Sequence, residues 1–151
     1  MKFKFRLQKV LELRQQKEET CERELAELKR VLIQEEQFLV DLKEKSHEMR
    51  QRLDHLQDGE ENALCMEELV RYADYLDHLQ NRIVDQIRRV KKTVNDTDQK
   101  RDELVEASKE KKVIEKLKGQ QLKRFRDSAA ETERKRLDEI GMNNYSHRRK
   151  K

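Results

Sequence analysis

Apolar residues recur at steps of three and four positions through the first third of the chain. Of the fifteen positions with this spacing, eleven are apolar, against 34% hydrophobic residues in the whole chain, which predicts a coiled-coil helix. The positions are Leu7, Val10, Arg14, Lys17, Cys21, Leu25, Leu28, Leu32, Glu35, Leu39, Leu42, Ser46, Met49, Leu53 and Leu56. Consecutive steps of four at Lys17, Cys21 and Leu25 predict a stutter that locally unwinds the supercoil. The charged positions Arg14, Lys17 and Glu35 indicate either register control or partner contacts.

A second stripe with the same spacing starts near Asn62 and is richer in isoleucine and valine. Its positions are Leu69, Tyr72, Leu76, Leu79, Ile83, Ile87, Val90, Val94, Thr97, Arg101, Leu104, Ala107, Lys111, Ile114 and Leu117. Gly59 marks the only clear break between the stripes, in a chain with three glycines and no proline. Glycine accepts the left-handed conformation that stops a helix, so a bend is expected there. This bend places Leu39 opposite Ile83 and the N-terminus opposite Gly119.

We therefore predict an all-α fold, a long two-stranded antiparallel coiled-coil hairpin with a C-terminal helical overhang. The predicted segments are the first arm (1–57), the hairpin turn (58–62), the second arm (63–118), a basic helical overhang (119–140) and a disordered basic tail (141–151). Gly141 is expected to end the second helix, and the overhang is expected to have no partner in the first arm. An intermolecular antiparallel dimer satisfies the same repeat, so the pattern leaves hairpin and dimer open.

The composition agrees with a two-helix seam rather than a thick core, because 45% of the residues are charged and tryptophan is absent. The net charge of +4 is unevenly distributed. Residues 1–117 carry 25 Lys and Arg and 27 Asp and Glu, whereas residues 118–151 carry 11 and 5. Residues 53–70 contain six acids and no Lys or Arg. The hairpin is thus expected to have an acidic turn and a basic open end, which affects association and orientation.

The sequence shows no pattern of an enzyme, a cofactor site or a metal site. The four histidines, His47, His55, His78 and His147, are scattered without metal-ligand spacing, and no glycine-rich phosphate loop is present. The two cysteines lie on different arms of the predicted hairpin, roughly 45 Å apart at 1.5 Å per residue, so they cannot form a bridge within one chain. No apolar run reaches the roughly 20 residues of a membrane span, and no signal peptide is recognised. These features are typical of a reduced, cytoplasmic protein.

Two surfaces are candidates for partner binding. Leu122, Phe125, Ala129, Leu137 and Ile140 of the overhang have nothing in the predicted hairpin to cover them. A phosphate backbone or a membrane surface is an alternative ligand for the basic overhang, but few aromatic residues are present for base stacking and the apolar face is thin. The second surface lies near the turn, on residues that widen the apolar stripe of the second arm. These residues are Val70, Tyr72, Ala73, Tyr75 and Leu76.

Three blocks of the chain resemble signatures of the flagellar FliJ family. They are residues 3–14 (Phe-Lys-Phe-Arg-Leu-Gln-Lys-Val-Leu-Glu-Leu-Arg), residues 111–118 (Lys-Lys-Val-Ile-Glu-Lys-Leu-Lys) and residues 133–140 (Glu-Arg-Lys-Arg-Leu-Asp-Glu-Ile). The first block and the Leu-Asp-Glu sequence of the third are specific in combination. Between the blocks the chain matches the family only in its coiled-coil pattern.

The resemblance implies a non-enzymatic component of the flagellar type III export apparatus, which acts as a stalk-like activator of the hexameric export ATPase. It also implies contacts with the cytoplasmic domain of the export gate and with export chaperones, at the cytoplasmic face of the inner membrane. The residues expected to bind the ATPase are Phe5, Arg6, Leu7, Gln8, Arg14, Leu122, Phe125, Lys135, Leu137, Asp138, Glu139 and Ile140. The residues near the turn are expected to contact the gate. The alternatives are a scaffolding coiled coil without an ATPase partner and the injectisome counterpart of the family.

Overall fold

The computed structural model describes residues 2–58 and 66–149, and in this part of the chain it contains two α-helices and no strand. Helix α1 spans Gln8–Asp58 and helix α2 spans Met66–Arg148. The two helices pack against each other, and their contacts run in opposite chain directions, which confirms the predicted all-α hairpin fold. Apart from Asp58, the predicted turn at 58–62 lies outside the described residues. Within the described ranges, neither helix contains an apolar stretch long enough to cross a membrane.

The chain divides into two compact units, and both helices contribute to each of them. One unit comprises Thr20–Leu104, and the other comprises Met1–Glu19 together with Val105–Lys151. The core of the first unit is formed by Leu42, Leu79 and Ile83, with Leu39 and Ile87 packed against it. Leu39 and Ile83 therefore lie in one cluster, as the predicted pairing required.

The seam of α1 differs from the predicted stripe near its N-terminus. Leu11 is buried, and the side chain of Glu18 is 13% exposed whereas that of Lys17 is 54% exposed. With Leu11 and Glu18 in the seam, steps of four and three alternate without interruption from Leu7 to Leu56. The predicted stutter at Lys17 is therefore wrong. Val10 and Leu11 are both apolar, so hydrophobicity did not identify which of them continues the repeat.

The seam of α2 contains polar residues that the predicted stripe left out. Gln86 and Thr93 are buried, at the positions next to the predicted Ile87 and Val94. Gln86 Nε2 donates to the backbone carbonyl of Glu35 at 3.0 Å, and Thr93 Oγ1 donates to Glu35 Oε2 at 2.6 Å. Because these bonds satisfy the buried polar groups, the seam holds a polar layer of Glu35, Gln86 and Thr93. Ile87 and Val94 are half-buried at its edge.

Helix α2 continues through Gly119 and Gly141, and neither glycine has a positive φ. The helix end predicted at Gly141 lies at Arg148 instead. A glycine inside a helix costs only about 1 kcal/mol relative to alanine, so it does not by itself end one. The expectation of disorder in residues 141–151 stays a prediction.

Candidate partner-binding surfaces

The N-terminal segment before α1 is folded against α2. The backbone N–H of Gln8 donates to the carbonyl of Phe5 at 3.2 Å, which turns the chain into the first helix. The Phe5 side chain is only 9% exposed, and Phe3 is half-buried. Phe3 and Phe5 therefore pack within their compact unit and do not form a free end.

Three contacts join this segment and Gln8, the first residue of α1, to α2. Lys118 Nζ lies 6.0 Å from the centroid of the Phe5 ring and donates to Gln8 Oε1 at 2.9 Å. The rings of Phe3 and Phe125 are 5.7 Å apart between centroids and tilted by 50°, a favourable aromatic arrangement. The first arm thus reaches Phe125, and the expectation that residues from Gly119 onward have no partner in it is wrong for 119–125. Helix α1 ends at Asp58 and helix α2 begins at Met66.

Ion pairs cross the seam where apolar residues are scarce. Glu110 of α2 accepts from both Arg14 and Lys17, and Lys111 pairs with Glu18. The hydrogen bond from Lys111, helped by one from Ser108, holds the pKa of the Glu18 carboxyl below its ordinary 4.5, although burial acts in the opposite direction. The seam near the open end is therefore held by charge as well as by apolar contact.

In the other unit, Lys100 Nζ contacts Glu103 at 2.6 Å and Glu24 at 2.7 Å. Its hydrogen bonds to Glu103 and to Glu24 raise the pKa of Lys100 above its ordinary value. On the helix surface, the hydrogen bond to Glu106 raises the pKa of Lys109 in the same way. These pairs therefore favour the charged form of both lysines.

Replacing Glu18 by glutamine is expected to destabilise the hairpin at neutral pH but not in acid. Because the pKa of Glu18 is lower in the folded state, its contribution to stability is present above pH 4.5 and is lost as the pH falls through the folded value. The check is urea unfolding of the wild type and of Glu18→Gln at pH 7 and at about pH 2. Glu22→Gln, at an exposed position of the same helix, is the matched control. An equal difference between Glu18→Gln and the wild type at both pH values would contradict this assignment.

Beyond Phe125, α2 has an exposed segment, residues 126–147, in which every side chain is exposed. At 1.5 Å per residue it is roughly 33 Å long. Four large apolar side chains lie on it, and even the most covered of them, Ile140, is 47% exposed. The four are Leu137, Ile140, Met142 and Tyr145. The segment carries charges of both signs, with Lys135 and Glu131 paired at 2.8 Å.

The structure separates the twelve residues that are expected to bind the ATPase into two groups. One group is buried or half-buried within the chain and consists of Phe5, Leu7, Gln8, Arg14, Leu122 and Phe125. The other is exposed and consists of Arg6, Lys135, Leu137, Asp138, Glu139 and Ile140. Their role in ATPase binding stays a prediction. Met142 and Tyr145 were missed because they follow the expected helix end, and Phe3 and Lys118 because only their contacts reveal them.

A second surface lies near the start of α2, where a groove of about 500 Å³ is open to solvent. It is lined by Met49, Leu56, Glu68, Arg71, Tyr72 and Tyr75. Of the residues expected to contact the export gate, Tyr72 and Tyr75 line this groove, Val70 and Ala73 are exposed beside it, and Leu76 is half-buried. The groove combines aromatic, apolar and charged side chains, which suits the binding of a protein partner. Its function as a gate contact stays a prediction.

Neither surface has the arrangement of a reactive centre. Cys21 is buried in the seam. Within residues 2–58 and 66–149, no three potential metal-ligating side chains come together. His55 lies near the end of α1, and Cys65 falls outside the described residues. The described side chains of the two surfaces can therefore provide contact area and charge to a partner.

The family model described as Flagellar FliJ protein matches residues 3–150 of the chain. The match thus extends over both compact units and the exposed segment. The search of curated proteins found no match, and the search of solved structures found none either.

Proposed function

Because the chain belongs to the flagellar FliJ family and is thereby related to flagellar protein export, we propose that it is the stalk-like activator of the hexameric export ATPase. In this proposal the protein hydrolyses nothing itself. It supplies a helical surface that favours ring assembly and hydrolysis. The flagellar description of the matching family favours this machine over the injectisome.

One observation carries the proposal, namely that every residue of 126–147 is exposed although the helix carries four large apolar side chains there. An isolated helix that buries nothing is only marginally stable in water, because its cohesion normally comes from packing an apolar face. Leu137, Ile140, Met142 and Tyr145 have no such packing within their own chain. A partner that surrounds the helix would bury all of them at once, since they do not share one narrow face.

A ring of ATPase subunits fits this requirement because its central opening surrounds whatever enters it. The exposed segment carries Lys135, Asp138 and Glu139 close to its apolar residues, so ion pairs with different subunits are available around the helix. Contacts of this kind would stabilise the assembled ring relative to separate subunits, since only the ring presents all of them. The protein would thereby lower the ATPase concentration needed for activity.

The export gate and the export chaperones are the other proposed partners. We assign the gate contact to the groove at Tyr72 and Tyr75, because it is an apolar and charged depression within the unit Thr20–Leu104. The exposed segment belongs to the other unit, so the two contacts use different residues. Through these partners the protein would be held at the cytoplasmic face of the inner membrane. No surface on the described residues singles out a chaperone.

The test is hydrolysis by the flagellar export ATPase of the same organism, with the full chain and with a protein that ends at Phe125. We expect stimulation by the full chain and its loss in the shortened protein, which retains the contacts of Phe125 with Phe3. Leu137→Ser combined with Ile140→Ser should reduce stimulation at least tenfold. Leu13→Ser is the control, because Leu13 is also exposed, at 65%, but lies on α1.

Each alternative gives a distinct result in this assay. Stimulation by the shortened protein would retain the activator function but would place the ATPase contact within the paired helices. Neither stimulation nor binding by the full chain would support the scaffolding coiled coil, which should then associate with itself through the seam.

A further inference from the structure

The aromatic residues near the N-terminus contact α2, whereas the residues of the exposed segment are all open to solvent. Phe3, Phe5 and Gln8 contact Phe125 and Lys118, and these five residues are called the clasp below. Phe125 of the clasp directly precedes residue 126, from which every residue up to 147 is exposed. It therefore lies directly at the root of the exposed segment.

We propose that the clasp positions the exposed segment, so that Phe3 and Phe5 are positioning residues rather than direct contacts of the ATPase. The functional part of this inference rests on the proposed function, but its structural part concerns the free protein alone. The clasp holds α2 in helical form as far as Phe125, and the exposed segment continues from that fixed turn.

The physical reason is the cost of starting a helix. A new helical turn fixes several residues for one hydrogen bond, whereas adding a residue to an existing helix fixes one residue for one bond. A segment that buries nothing is therefore helical only to the extent that it extends an anchored helix. Among the described residues, the last buried apolar residue of α2 is Ala107, about five turns before Phe125, and Leu117 and Leu122 after it are only half-buried. Without the clasp, fraying would begin in this half-buried stretch and would include the whole exposed segment.

The contacts of the clasp are suited to holding the non-helical segment before α1 against α2. Phe5 is buried, and its carbonyl receives the Gln8 N–H, so ring burial and the start of α1 are coupled. Gln8 uses its side chain twice, since it accepts from Lys118 Nζ and donates to Glu12 Oε1 at 3.1 Å. Lys118 in turn serves both Gln8 and the Phe5 ring. The loss of either ring therefore weakens a connected set of contacts.

Hydrogen exchange measured by mass spectrometry on the full chain tests the structural part. In Phe3→Ser combined with Phe5→Ser, we expect amides of residues 115–125 to exchange at least tenfold faster and the helical signal of the exposed segment to fall. Amides in Thr20–Leu104 should keep wild-type rates. Phe38→Ser is the matched control. The Phe38 ring also contacts a cation, with Arg82 Cζ 5.7 Å from the ring centroid, but it lies in the other unit. Wild-type exchange of residues 115–147 in the double variant would overturn the inference.

A second-site change separates positioning from direct contact. A β-carbon added at Gly119 meets nothing within 4 Å, so Gly119→Ala strengthens the helix without a clash. Added to the Phe3→Ser and Phe5→Ser variant, it should restore part of the amide protection and of the ATPase stimulation. If the two rings touched the ATPase themselves, protection would recover while stimulation would not. Absence of stimulation by the wild type would reject the proposed function, yet the exchange data would still decide whether the clasp orders α2.

Discussion

Replacing Leu79 by alanine is expected to lower the free energy of unfolding by about 2–5 kcal/mol. Leu79 is 1% exposed and packs against Leu42, itself 2% exposed, in the cluster that also contains Ile83. A two-helix seam cannot collapse around a cavity as a thick core does, because few other side chains reach it. The loss should therefore include both the transfer of the missing carbons and the cavity that remains. Thermal and urea unfolding followed by circular dichroism measure the change.

Leu137→Ala is the control for the Leu79 variant, because the side chain of Leu137 is 58% exposed. A surface truncation of this kind usually changes stability by less than about 0.5 kcal/mol. Leu42→Ala should resemble Leu79→Ala, and the double variant should lose less than the sum, since the two side chains share one cavity. Equal unfolding midpoints for Leu79→Ala and Leu137→Ala would show that the cluster is not the main source of cohesion.

Converting the polar layer to apolar residues should stabilise the chain and at the same time remove its unique pairing. For Glu35→Leu, Gln86→Leu and Thr93→Val together, we expect a gain of up to about 1–4 kcal/mol, the range seen when buried ion pairs are replaced by hydrophobic residues. A single polar layer in a coiled-coil seam fixes register, because any slip leaves its buried groups without partners. Without the layer, shifted hairpins and intermolecular pairs should become comparably stable.

Size-exclusion chromatography with light scattering checks the second half of this prediction. We expect one species for the wild type and several for the triple variant. Glu35→Gln is the conservative control, since an amide oxygen can still accept from Thr93 Oγ1, and it should remain one species. A triple variant that is more stable and still a single species would mean that the apolar clusters alone define the register.

The fold was predictable from the sequence because the hydrophobic repeat is strong and Gly59 interrupts it at one place. The sequence was less informative about which of two adjacent residues lies in the seam. Gln86 and Thr93 occupy the seam although Ile87 and Val94 are more hydrophobic, because both polar residues find a partner in Glu35. A partner on the other helix cannot be read from one helix, so the sequence placed the stripe one residue away at these points.

The extent of pairing at the open end was also beyond the sequence. The predicted overhang began at Gly119, but Phe3 contacts Phe125 because the chain continues before α1 without being helical and carries aromatic rings there. Apolar residues near both termini were recognised as candidate contacts from composition and from the family resemblance. That Phe125 packs within the chain while Leu137 does not depends on the pairing register, which only the three-dimensional structure provides.

The exposure of every residue in 126–147 has a genetic consequence. Substitutions there do not enter a packed interior, so cellular abundance of the protein should tolerate most of them, whereas substitutions at Leu42 or Leu79 should reduce it. A mutational scan that scores abundance and swimming motility side by side would then resolve two classes of position along α2. Those in the seam would fail both selections together. Those in the exposed segment would fail motility alone, and each would identify a contact made with another molecule.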